Sequence, residues 1–236
     1  GGAVVAGPVG PAPAAGPARG RQLATLAMPT VGLGALAFFL YTGVEVAAGL
    51  WAFTLLTEGR AMDASTAGVC VAAYWASLFV GRLVMGAVAE RAGTARVLLA
   101  GLVGMLTGAV LVALPAPAPV AVTGLMLLGL AAAPVFPLLT LTTAARVGDA
   151  HADRAIGVQI GAAGIGAAAV PAGIGVLLSR VHVELLGPAL AVLAALLLVV
   201  HQRPAGSAGS AGSARPAGSA GSAGSAGSGR GARAVS

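Results

Sequence analysis

The sequence predicts an all-α, membrane-spanning protein of six helices, and three observations carry that prediction. Of 236 residues, 58% are hydrophobic and only 8% are charged, against about 25% charged in an ordinary soluble domain. The charges cluster between apolar runs of about 16 to 26 residues, long enough to cross roughly 30 Å of hydrocarbon as helices. The runs lack the two-residue alternation of barrel strands, and lipid admits only helices or closed barrels.

The first run is Val31 to Leu56, preceded by a weaker interfacial piece, Leu23 to Met28. Its one charge is Glu45, within "YTGVEVAAGLW". The second run, Ala67 to Met85, contains Arg82 near its end. The third, Val97 to Leu114, is closed by "PAPAP", and the fourth, Val120 to Leu141, carries Pro134 and Pro137. The fifth, Ile156 to Leu178, is Gly-rich and carries Pro171; the sixth, Leu185 to Val200, is the shortest. Prolines inside a span remove a helix hydrogen bond and bend it. The pairs Gly104/Gly108 and Gly157/Gly161 have the four-residue spacing that permits close helix crossings.

Orientation follows from arginine, the only basic residue type besides histidine. Arg19, Arg21, Arg91, Arg96, Arg146, Arg154, Arg203, Arg215, Arg230 and Arg233 fall on one side, with only Arg60 and Arg180 opposite. The positive-inside rule then places both termini in the cytoplasm, as expected of a multi-pass protein of the cytoplasmic membrane. Residues 1–22 read as a Gly/Pro/Ala-rich cytoplasmic linker, 23–203 as the six-helix bundle, and 204–236 as a disordered Ala/Gly/Ser-rich tail. The start has no signal-peptide pattern and reads as the interior of a longer frame.

Other chemistry is poorly supplied. With no lysine there is no phosphate-binding loop, no histidine pair has metal-ligand spacing, and the lone Cys70 excludes an intramolecular disulfide. Scattered arginines with few aromatics give no nucleic-acid surface. An intramembrane serine protease would need a serine and a histidine within spans, and only Ser77 lies inside one. The sequence therefore predicts no enzyme and no cofactor.

Glu45 is the candidate for chemistry. A charge at mid-span costs at least about 2.5 kcal/mol on insertion scales, so the carboxyl must face a cavity, bind a partner or be protonated. Tyr41 lies four residues earlier on the same face and is placed to donate to it. Two readings stand: a substrate- or proton-binding carboxyl, and a structural carboxyl bonded to a neighbouring helix. Gln159 is a second polar group within a span, suited to a substrate or to an interhelical bond. Trp51 and Tyr74 offer rings for a solute, although Trp51 also suits an interfacial anchor. Arg82 suits snorkelling to the interface or an ion pair with Glu90.

"GAVAERAGTAR" resembles the cytoplasmic loop motif of the major facilitator superfamily, with Gly86, Glu90, Arg91, Gly93 and Arg96 in its places and Glu90 where the family usually has Asp. "FFLYTGVEVAAGLW" resembles the seventh helix of fucose-permease-like and related sugar or drug carriers, "GLAAAPVFPLL" the tenth, and "IGVQIGAAGIGAAAVPAGIGVL" the eleventh. The resemblance implies the C-terminal six-helix half of a twelve-helix fold. It implies a secondary carrier moving a small solute by alternating access, proton-coupled, with the N-terminal half as partner in the same or another chain. Glu45, Tyr41, Gln159, Trp51 and Tyr74 would face the cavity. Gly86, Glu90, Arg91, Gly93 and Arg96, with Arg82, would form the cytoplasmic gate. The other class considered is a non-transporting membrane subunit or inactive truncated carrier; a homodimer of halves would duplicate one half's chemistry.

Overall fold

The computed structural model describes residues 29–147 and 149–203, and of Met85, Gly86, 144–147 and 149–151 the backbone alone. The expected linker, the piece Leu23 to Met28 and the expected tail lie outside the described residues. Seven α-helices among these residues make six spans: α1 Pro29–Thr54, α2 Ala64–Ala92, α3 Thr94–Ala113, α4 Ala118–Ala132, α5 Val135–Val147, α6 Asp149–Arg180 and α7 Leu186–Gln202. A π-helical turn, Leu55–Gly59, prolongs α1, and a 3-10 turn, Val183–Leu185, leads into α7. Six stretches are long and apolar enough to cross a membrane, and the described residues contain no strand.

The helices outrun the apolar runs where polar residues keep helical geometry. Asp63 caps α2 by accepting from the Thr66 amide at 3.0 Å, and those hydrogen bonds hold its carboxyl below the ordinary aspartate range. At the other end Ala, Glu and Arg are good helix formers, so α2 continues until Gly93. There φ reaches +88°, a conformation open to glycine at no steric cost. One residue therefore turns α2 into α3.

The fourth span is broken. Pro134 and Pro137 bring no N–H, so the carbonyls of Leu130 and Ala133 lose their helical donors. The chain unwinds at Ala133–Pro134 between α4 and α5. Pro171, by contrast, lies inside a continuous α6.

Small residues set the crossings. A Cβ on Gly108 would stand 2.6 Å from the Gly124 carbonyl, and one on Gly104 would stand 2.7 Å from Ala131, so α3 lies directly on α4. Gly157 and Gly161 are not used for a crossing among the described residues: a Cβ on either meets nothing within 4 Å. They face an open side of α6, while the α1–α6 crossing uses other residues. There Thr42 Oγ1 donates to the Ala163 carbonyl at 2.8 Å, and Gly43 makes room for Val170.

Thr30 and Leu33 come close to Val200 and His201, so α1 begins where α7 ends. At the opposite end Arg60 ties three connections together. Its guanidinium donates to the carbonyls of Ala116 (3.0 Å), Leu114 (2.8 Å) and Val112 (3.3 Å), and pairs with Glu184 at 2.9 Å. The Arg60 side chain is only 8% exposed. Removing it orphans carbonyls at the close of α3, so Arg60→Ala should cost about 3 kcal/mol of stability. Thermal unfolding in detergent checks this. Thr57→Ala, which deletes only a hydroxyl bonded within its own helix, should leave the midpoint nearly unchanged.

Candidate functional site

The site is built around Glu45, near the middle of the first span. Its side chain is 11% exposed and sits between α1 and α2. One carboxylate oxygen accepts from the hydroxyl of Tyr41, one turn earlier on the same helix. The other accepts from Arg82 Nη2 at 3.2 Å, forming an ion pair across the helices. The Tyr74 hydroxyl donates to the Glu45 main-chain carbonyl at 2.8 Å. The i to i+4 spacing brings Tyr41 over Glu45, and the spacing of Tyr74 and Arg82, close to two helical turns, brings both to one side of α2.

Two packing features fix this contact. Gly49 leaves space for the rings of Tyr74 and Trp75 against α1; a Cβ there would lie 2.9 Å from Tyr74 and closer still to Trp75. The two rings meet edge to face at 5.2 Å between centroids. On the other side, Phe136 of α5 packs edge-on to Phe38 at 5.1 Å and tilted to Tyr41 at 6.3 Å.

Phe136 also lines a cavity of about 790 Å³, with Arg82, Glu90 and Thr94 on one wall and Pro134, Pro137, Leu138 and Leu141 on the other. The cavity lies between α2 and the broken fourth span, and reaches the α2–α3 turn. Arg82, with its side chain 49% exposed, connects it to Glu45.

The sequence-predicted residues thus divide. Glu45, Tyr41 and Tyr74 come together, but none lines this cavity. Arg82 is corrected: it pairs with Glu45 of α1, not with Glu90, which lies two turns further along α2. Glu90, Arg91, Gly93 and Arg96 are exposed around the α2–α3 turn, and no ion pair joins them among the described residues. Gly86 lies within α2. Gln159 is displaced from the group: fully buried, it donates to Thr143 Oγ1 at 2.7 Å in an interhelical bond between α5 and α6. Trp51 is also elsewhere, its indole N–H donating to the Pro171 carbonyl at 2.9 Å. That bond uses a carbonyl within α6, and the ring rests where Gly175 leaves room.

Sequence reasoning missed the Glu45–Arg82 pair and the Arg60 clasp. The signal for the first was present, as two opposite charges inside spans. The second had none, because carbonyl acceptors carry no sequence mark.

Fold and site together define a multi-pass membrane protein whose spans enclose an ion pair beside an apolar cavity. The sequence profile described as Major Facilitator Superfamily matches residues 31–229, and the chain belongs to that family. Its fold is similar to three crystal structures of the peptide transporter POT, one in complex with sulfate and one in complex with alafosfalin, each 20% identical, with TM-scores of 0.61, 0.61 and 0.62. These alignments cover 72% to 74% of this chain but only 36% to 37% of the transporter chains. A segment of 63 residues is 38% identical to Bypass of stop codon protein 6 of Saccharomyces cerevisiae, covering 27% of this chain and 13% of that protein. This chain therefore spans little more than a third of the solved transporter chains it matches.

Gly49 offers a test of how the site is seated. Gly49→Ala should push Tyr74 and Trp75 off α1 and cost about 1–3 kcal/mol. Gly68→Ala, with nothing within 4 Å of the new Cβ, should stabilise α2 by about 0.5–1 kcal/mol. Thermal unfolding of the two variants reads the difference.

Proposed function

We propose that this chain acts as the C-terminal half of a secondary carrier, moving a small solute across the cytoplasmic membrane by alternating access. In this reading Glu45 takes up and releases the coupling proton, and Arg82 holds the carboxylate when the proton is absent. The observation that carries it is a carboxylate at mid-span whose cationic partner among the described residues, Arg82, is exposed to a cavity. Such a pair has two states, an ion pair and a protonated acid beside a released arginine.

Three further features support the reading. The solved transporter chains are about twice as long as this chain, which suits a partner half. The open face of α6, with Gly157, Gly161 and Gly164 and exposed Ile160 and Ile165, is where that half would pack. So is the outer face of α2, with Phe79, Val80 and Leu83 exposed. The arginine distribution would put the α2–α3 turn in the cytoplasm, where Glu90, Arg91 and Arg96 would meet the partner half as a gate.

In proteoliposomes holding the native protein, a transported solute should evoke proton movement. Glu45→Gln should abolish that movement while leaving downhill solute exchange. Solute accumulation that ignores a collapsed proton gradient would reject proton coupling.

A further inference from the structure

The cavity's chemistry narrows the class of solute, in a deduction that rests on the carrier reading above. Among the described residues its walls are apolar apart from Arg82, Thr94 and Glu90. Glu90 stands in the exposed last turn of α2 beside Arg91, about 12 Å along the helix from Arg82 at 1.5 Å per residue. At depth, then, the charge that a solute meets is Arg82. The acid that balances it does not line the cavity: Glu45 lies behind the guanidinium, between α1 and α2.

The balance is also incomplete. A guanidinium carries five N–H donors in a fork suited to a carboxylate. Arg82 gives Glu45 one hydrogen bond, from Nη2 at 3.2 Å. Tyr41 is the other side chain in reach of the guanidinium, no second carboxylate pairs with it among the described residues, and half the side chain is exposed. The other groups acting on Glu45 are Tyr41 from its own helix and Tyr74 from α2, neither a cation; α5 presents Phe136, and the described residues of α4, α6 and α7 set no charge against it.

We propose that the cavity binds an amphipathic monoanion, its carboxylate or similar head on Arg82 and its apolar body along Pro134, Phe136, Pro137 and Leu141. Charge balance sets the coupling. With Glu45 ionised, the pair is neutral and an incoming anion adds uncompensated charge at membrane depth. With Glu45 protonated, the anion replaces it as the partner of Arg82 and the site is neutral again. Anion and proton therefore bind together, one of each, and the loaded site carries no net charge. The apolar wall rewards a longer body, by about fourfold in affinity for each buried methylene. The volume is sufficient, since small-molecule sites run from about 300 to 1,000 Å³.

The test uses calorimetry on the purified native protein with butanoate, pentanoate and hexanoate, and with hexanamide and hexylammonium as controls. Titration in two buffers of different ionisation enthalpy counts protons. Hexanoate should bind at least tenfold tighter than either control, and affinity should climb with chain length. About one proton should enter per anion. Arg82→Gln should lose saturable binding, and Arg82→Lys should keep part of it. Leu141→Asp, an exposed position on the wall, should weaken hexanoate about tenfold without touching the ion pair.

Equal or tighter binding of hexanamide or hexylammonium would overturn the proposal. So would binding indifferent to Arg82→Gln and Leu141→Asp, or no saturable binding of any anion. If Glu45→Gln abolishes solute-evoked proton movement while hexanoate fails to bind, the carrier reading stands and the anion class falls. If hexanoate binds through Arg82 without proton uptake, the anion class stands and the role of Glu45 falls.

Discussion

Placing a carboxylate midway through a membrane span costs at least about 2.5 kcal/mol, and the packing of the first two spans is arranged to meet that cost. Glu45 receives a hydroxyl from Tyr41 and a guanidinium from Arg82, and its main-chain carbonyl is tied to Tyr74. Gly49 exists in this setting as a space: without it the rings that carry the Tyr74 hydroxyl could not lie against α1. Elsewhere α2 leans on α4, where Gly81 and Gly129 let the backbones approach. Its tie to α1 is concentrated at the ion pair and the ring layer beside it.

The two ends of the bundle are built differently. At one end Arg60 gathers the connections after α1, α3 and α6 into a buried node. At the other, the prolines that unwind the fourth span leave α5 standing off α2, and the cavity forms between them. The bundle is thus fastened at one end and hollow at the other.

Much of the fold was legible in the sequence because lipid imposes a length and a polarity on every span. The six runs, the site of interruption at Pro134 and Pro137 (where a bend was expected and the chain unwinds), and the close crossing at Gly104 and Gly108 follow from that constraint and from backbone chemistry. Gly157 and Gly161 show the limit of the pattern. Four-residue glycine spacing marks a face suited to close approach, but does not say what covers it. The site was half legible. Tyr41 and Glu45 share a helix, so their contact follows from spacing alone. Arg82 belongs to another helix, and its direction depends on how α2 is rotated by Tyr74 and Gly49, which no local pattern records. Reading it with Glu90 followed proximity along the chain, whereas the structure pairs it across 37 residues. Gln159 takes the interhelical bond that was one of its two readings, while Trp51 turns from a solute to the Pro171 carbonyl. Polar or aromatic character inside a span was visible, while the particular acceptor was not.

The claim on which this account rests is that Glu45 and Arg82 act as one unit. A double-mutant cycle measures that most directly, with thermal or denaturant unfolding of Glu45→Gln, Arg82→Gln and the pair together. Either single change leaves an unanswered charge at membrane depth and should destabilise the bundle. The double change removes both charges and should recover part of the loss, with a coupling of about 1–3 kcal/mol. Strictly additive effects would mean that the two charges do not sense each other, and the account of the site would fail with them.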